Sequence, residues 1–127
     1  MDKKPYEDQK QENIILTKSY DFALEIVRIY KYLAIAHKEF ILSRQVMKSG
    51  TSIGANVREA QNAESKIDFI HKLKIAQKEA DETLYWLELL RGAEYLSADS
   101  YHSLHNQCID LLKLLKRIIL TAKNNHV

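Results

Sequence analysis

Four polar residues able to handle protons or metal ions lie in the middle of the chain. They are Asn56, Glu59, Glu79 and Glu82. Facing carboxylates could serve acid–base chemistry or hold a metal, but a di-iron bundle needs a Glu-x-x-His motif on each of two helices. Only Asp68 with His71 approximates that spacing, and His102 with His105 lacks a partnering acid. We therefore expect no metal and no cofactor, and we interpret the four residues as a hydrogen-bonded network that fixes helix register or a subunit contact.

Catalysis by a nucleophile or on a nucleotide is also poorly supported. The single cysteine, Cys108, falls on an apolar helical stripe, where free cysteines usually behave as inert hydrophobic residues. No Gly-rich loop precedes a helix in the form that cradles phosphate. We predict that the protein is not an enzyme, although a metal-dependent bundle enzyme remains the alternative. One cysteine offers no disulfide framework, so a reducing cytoplasm is the expected compartment.

The composition favours a single helical domain. The chain has 127 residues, of which 46% are hydrophobic and 28% charged, with only 3 Gly and 1 Pro. All-β and doubly wound α/β folds need more turn residues than this. No apolar run approaches the ~18 residues of a membrane span, and the first residues do not resemble a signal peptide. The net charge of +2 does not by itself indicate a nucleic-acid-binding protein.

Periodicity predicts a tail, residues 1–12, followed by a helical domain, residues 13–124. The tail has seven charged residues and little apolar surface, so we expect it to be flexible. Helix 1 is predicted over about 14–36, and a break is expected between Ala36 and Glu39 because a longer helix would exceed the size of the domain. The predicted core face of helix 1 comprises Leu16, Tyr20, Ala23, Val27, Tyr30 and Ala34.

Three further amphipathic helices follow, and each has its own start or stop signal. In helix 2, Gly50 and Gly54 suggest a close approach by a neighbouring element. Ser65 is the expected N-cap of helix 3, Gly92 its left-handed stop, and Ser97 the N-cap of helix 4. The predicted core positions of helices 2 to 4 include Val46, Ser49, Ile53, Val57, Leu73, Ala80, Thr83, Leu87, Leu104, Cys108, Leu111 and Leu115. Short connections between four helices predict an all-α, antiparallel up-and-down four-helix bundle.

Apolar residues also lie on helix 3 away from its core stripe. Ile75, Trp86 and Leu89 fall within an arc of about 60° at 100° per residue. Large apolar residues that face water together mark a partner contact, so we predict an oligomer interface there. Two alternatives remain: a wide core that wraps Trp86 within one chain, and a different protein that covers it.

Basic residues are concentrated on single faces of helices 2 and 4. At 100° per residue, each set occupies an arc of about 80–120°. The two sets are Arg44, Lys48 and Arg58 on helix 2, and Lys113, Lys116, Arg117 and Lys123 on helix 4. They predict contacts with RNA or DNA phosphates if assembly sums their charges, and merely solvated surfaces otherwise.

The segment from Ser49 to Leu90 resembles a bacterial family of four-helix bundles encoded in intervening sequences of 23S ribosomal RNA genes. The accessory variability protein of diversity-generating retroelements is similar to that family. The resemblance rests on Ser52-Ile53, Asn56, Glu59, Asp68-Phe69, Lys74-Ile75-Ala76, Lys78-Glu79-Ala80 and Glu82-Thr83. Where the family often has Gly after the glutamate, this chain has Ala60, which predicts another turn of helix 2.

The resemblance implies a homopentameric ring without known enzymatic activity. For the retroelement relatives it also implies binding to nucleic acid and to a reverse transcriptase. We therefore expect self-association and no membrane, and we expect a nucleic acid or a reverse transcriptase as further partners in the matching genetic context.

Overall fold

The computed structural model describes residues 6–124, with side chains from Gln9 onward. Its helices are α1 (Tyr6–Ala36), α2 (Ile41–Ala60), α3 (Lys66–Gly92) and α4 (Ala98–Asn124). Each helix contacts the next along the chain, and α4 closes the bundle against α1. Within the described residues the diagonal pairs, α1 with α3 and α2 with α4, are not in contact. The predicted antiparallel four-helix bundle is confirmed.

Polar caps begin three of the four helices. The Asp68 amide donates to the Ser65 hydroxyl at 3.0 Å, and the Ser100 amide donates to the Ser97 hydroxyl at 3.1 Å, so both predicted N-caps are confirmed. The break between helices 1 and 2 falls at residues 37–40, as expected. There the Glu39 carboxylate accepts from a backbone amide of the first turn of α2 at 2.8 Å.

Three predicted helix ends differ from the structure. Residues 6–12 belong to α1 rather than to a separate tail, because Glu, Gln and Lys are good helix formers; residues 1–5 lie outside the described residues. The extra turn of α2 is wrong: the Gln61 amide donates to the Arg58 carbonyl at 3.1 Å, a tighter turn that ends the helix. Gly92 remains helical, and Glu94, at φ 68°, adopts the left-handed conformation instead.

The core face of α1 was predicted incorrectly. Tyr20 is 54% exposed, and the predicted stripe lies to one side of the buried one. The residues of α1 that are buried in the core are Ile15, Ser19, Phe22, Ile26 and Leu33. Both stripes have helical spacing and both are apolar, so periodicity alone could not choose between them. Consequently α1 has a second apolar face that points out of the bundle.

The centre of the bundle is closely packed around α2. A Cβ placed on Gly50 would lie 2.8 Å from a side-chain carbon of Ile26, which confirms the predicted close approach there. On the opposite side of the same turn, the hydroxyl oxygens of Ser49 and Thr83 are hydrogen-bonded at 2.9 Å, and both residues are buried. These contacts fix the relative heights of α1, α2 and α3.

Candidate interaction surfaces

The four polar residues of the middle segment are not joined in a network. The Asn56 amide donates to the Ser52 carbonyl at 2.8 Å, within its own helix. Glu59 reaches α3 through Lys72, with 3.9 Å between the carboxylate oxygen and the ammonium nitrogen. Within the described residues no hydrogen bond links any two of the four side chains, and Glu82 is exposed. The interhelical hydrogen bond that sequence reasoning missed is the one between Ser49 and Thr83, and its signal was two hydroxyl residues on predicted core positions.

No arrangement suited to holding a metal is found among the described residues. No group of three or more His, Cys, Asp and Glu side chains is close enough together to bind an ion. His102 and His105 instead lie beside the ring of Tyr101, with centroid distances of 5.3 and 5.4 Å. The histidines of α4 therefore make aromatic contacts.

Cys108 is a structural residue of the core. Its thiol donates to the Ala80 carbonyl at 3.3 Å, across the contact between α4 and α3. Burial, with a smaller contribution from the negative charge of Asp81, raises the pKa of Cys108 to about 12. The thiolate required of a nucleophile is therefore disfavoured at neutral pH.

The outer surface of α3 is apolar, but it differs from the prediction in one respect. Leu89 is 37% exposed and Ile75 is half-buried. Trp86 has an intramolecular role, because its ring packs against the core and its buried indole N–H has no hydrogen-bond partner among the described residues. Tyr85, which was not predicted, is 54% exposed beside it. We call Ile75, Tyr85, Trp86 and Leu89 the α3 outer face.

The second apolar face of α1 was also missed. Tyr20, Leu24, Lys31 and Ile35 are all exposed and fall within an arc of about 60° at 100° per residue. We call these four residues the α1 outer face. The signal was present in their spacings of four, seven and four, but the neighbouring predicted core stripe obscured it. Because α1 and α3 are on a diagonal, the two outer faces point in opposite directions.

All seven predicted basic residues are exposed. We call Arg44, Lys48 and Arg58 the α2 basic face, and Lys113, Lys116, Arg117 and Lys123 the α4 basic face. Among the side chains that the structure describes, none of the seven forms an ion pair with a carboxylate. The structure does not bring the two basic faces together, because α2 and α4 occupy the other diagonal of the bundle.

One further cation extends the α4 basic face. A hydrogen bond with Lys74 of α3, the positive charge of that residue and slight desolvation lower the pKa of Lys123. Two ammonium groups held this close favour an anion between them, since an anion would relieve their repulsion. Sequence reasoning missed Lys74 because it lies on a different helix.

These features define a compact four-helix bundle whose outer surfaces, rather than an enclosed cavity, carry the candidate sites. The chain belongs to the family of 23S rRNA-intervening sequence proteins, whose model matches residues 11–117. It is similar to a crystal structure of a protein of unknown function from the S23 ribosomal protein family of Bacteroides thetaiotaomicron. The two are 51% identical, with 87% of this chain and 98% of that chain covered and a TM-score of 0.86. A comparison with curated proteins finds no match.

The helices were also compared with the requirements of a bilayer. Across residues 6–124, none is both long enough and apolar enough to cross one.

Proposed function

We propose that the chain is a non-enzymatic, cytoplasmic scaffold that assembles with copies of itself into a homopentamer and binds RNA or DNA through phosphate contacts. The exposed apolar side chains of the α3 outer face carry this proposal. Tyr85 and Leu89 face water in the single chain, and covering such residues is the usual reason for stable association. The family's homopentameric members support the subunit number.

Nucleic-acid binding is supported by the exposure of the basic faces. A single chain with a net charge of +2 has a weak field, but a ring repeats each basic face around an axis. Cations without carboxylate partners can release condensed counterions from nucleic acid, which supplies most of non-specific affinity. No aromatic residue belongs to either basic face, so base stacking is not expected and sequence preference should be slight.

Self-association is tested by placing a charge in the α3 outer face. The double variant Tyr85→Glu, Leu89→Glu should sediment with a lower mass than the wild type while its helical circular dichroism is retained. Asn106→Glu provides the control, since that residue is exposed on α4 outside the apolar faces. Unchanged sedimentation of the double variant would contradict the proposed interface.

Nucleic-acid binding is tested by fluorescence anisotropy at several salt concentrations. Affinity should fall by a log–log slope of roughly 0.7 to 0.9 per phosphate contacted. Arg44→Glu with Lys48→Glu should weaken binding more than Lys10→Glu with Lys18→Glu, which makes the same charge change on exposed residues of α1. Equal losses in the two double variants, or binding that does not respond to salt, would show that the basic face is only a solvated surface.

A further inference from the structure

Two faces of the bundle expose large apolar side chains on helices that do not touch each other. On α1, Tyr20, Leu24 and Ile35 are 54%, 37% and 80% exposed. On α3, Tyr85 and Leu89 are 54% and 37% exposed. The two helices lie on a diagonal of the bundle, so one chain cannot cover either face with the other.

We infer that the α1 outer face of one copy packs against the α3 outer face of the next copy. This inference rests on the proposed self-association and specifies its geometry. An isologous dimer would bury one patch twice and leave the second patch of each chain in water. A head-to-tail contact covers both patches on every subunit, and it closes into a ring when the rotation between subunits allows.

The charges of the two faces are complementary. The arc of about 100° centred on the α1 outer face contains Lys31 and no carboxylate, at 100° per residue. The upper half of α3 carries Asp81, Glu82 and Glu88, all exposed, around its apolar residues. A cationic apolar stripe therefore has an acidic apolar stripe available as its partner, which favours this pairing over like with like.

The heights of the charged residues also match. Ile26 of α1 and Thr83 of α3 contact the same turn of α2, the first beside Gly50 and the second through the Ser49 hydroxyl. Since α1 and α3 run in the same direction, counting five residues onward from each places Lys31 level with Glu88. In a ring whose axis follows the bundle, the α1 cation of one copy thus meets the acidic segment of its neighbour.

The pairing has a consequence for the basic faces. If α1 and α3 form the contacts between subunits, α2 and α4 occupy the two remaining corners of each bundle. One of them then faces the ring axis and the other faces outward. The two basic faces would form separate rings of positive charge, one inside and one outside.

Cross-linking between single-cysteine variants tests the pairing. Leu24→Cys and Glu82→Cys introduce thiols at exposed positions that are nearly level on α1 and α3. The two variants are produced together with different affinity tags and treated with a short bis-maleimide. Within one chain these positions point away from each other, so a link between them joins two copies. The wild type serves as the blank because Cys108 is buried.

The inference predicts a cross-linked product that carries both tags, and no dimer from either variant produced alone. Dimers of Leu24→Cys alone would indicate an isologous α1 contact and would overturn the inference. An oligomeric mass without any product linking positions 24 and 82 would also overturn it, while leaving self-association intact. A mass of 14.8 kDa would instead remove the proposed self-association, and the head-to-tail contact with it.

Discussion

Replacing Gly50 with alanine is expected to destabilise the bundle, although alanine is the better helix former. A Cβ at this position would lie 2.8 Å from Cγ1 and 3.0 Å from Cγ2 of Ile26. Carbon atoms in favourable contact lie about 3.5–4.0 Å apart. Ile26 is fully buried, and a β-branched side chain in a helix has one strongly preferred rotamer, so it cannot turn aside. The added methyl group therefore pushes α1 away from α2.

Two opposing effects set the magnitude of the Gly50→Ala change. Alanine in a helix interior is favoured over glycine by up to about 1 kcal/mol. Extra carbon in a closely packed core costs about 1–3 kcal/mol. We expect the steric effect to dominate and the free energy of unfolding to fall by about 1–2 kcal/mol.

Urea unfolding followed by circular dichroism, at a fixed protein concentration, measures this change. Gly92→Ala is the matched control: nothing lies within 4 Å of its Cβ, and the free energy of unfolding should rise by up to about 1 kcal/mol. In an Ile26→Ala background, Gly50→Ala should become stabilising, because the new methyl group then fills empty space. If Gly50→Ala stabilised the otherwise unaltered protein as much as Gly92→Ala does, the reasoning would be refuted.

Three further changes test individual contacts. Thr83→Val leaves the buried Ser49 hydroxyl without its partner and should lower the free energy of unfolding by about 1–3 kcal/mol; adding Ser49→Ala should cost less than the separate losses predict, as a double-mutant cycle would measure. Cys108 should resist thiol reagents until the protein unfolds. Since folding raises its pKa from 9.0 to about 12, the folded state keeps its proton longer, and stability should decline as pH rises above 9.0. Glu94→Gly should raise the thermal midpoint by relieving a positive φ worth about 1 kcal/mol; an unchanged midpoint would argue against that strain.

Much of the fold was predictable because its signals are local. The N-caps Ser65 and Ser97 depend on hydrogen bonds to amides three residues later, and a sequence displays that spacing directly. The close approach at Gly50 was also predictable, since glycine within a helix indicates missing space for a side chain. Such features require no knowledge of which helix lies beside which.

The orientation of α1 was not predictable from its sequence. The stripe containing Phe22 and Ile26 and the stripe containing Tyr20 and Val27 are both apolar at helical spacing. The buried stripe also includes Ser19, whose hydroxyl bonds to the Leu16 carbonyl at 3.2 Å and so loses little by leaving water. Choosing between the stripes requires the positions of the other helices.

The candidate surfaces were predicted as sets of residues, but not in their arrangement. Exposure of the basic side chains followed from the apolar stripes opposite them. That α2 and α4 lie on a diagonal, and that Lys74 joins Lys123 from a different helix, depends on tertiary packing. Trp86 was placed too far into solvent because a wheel drawn at 100° per residue ignores how far a large ring reaches back over its neighbour.

Native mass spectrometry of the wild-type protein is the most direct test of the central claim that the chain is a self-assembling scaffold. The account predicts that the main species is a whole-number multiple of 14.8 kDa, with a homopentamer dominant. The multiple should persist on dilution, because both apolar faces of every subunit would be covered in the ring. A main species of 14.8 kDa at every concentration would contradict the claim, since the α1 and α3 outer faces would then remain in water.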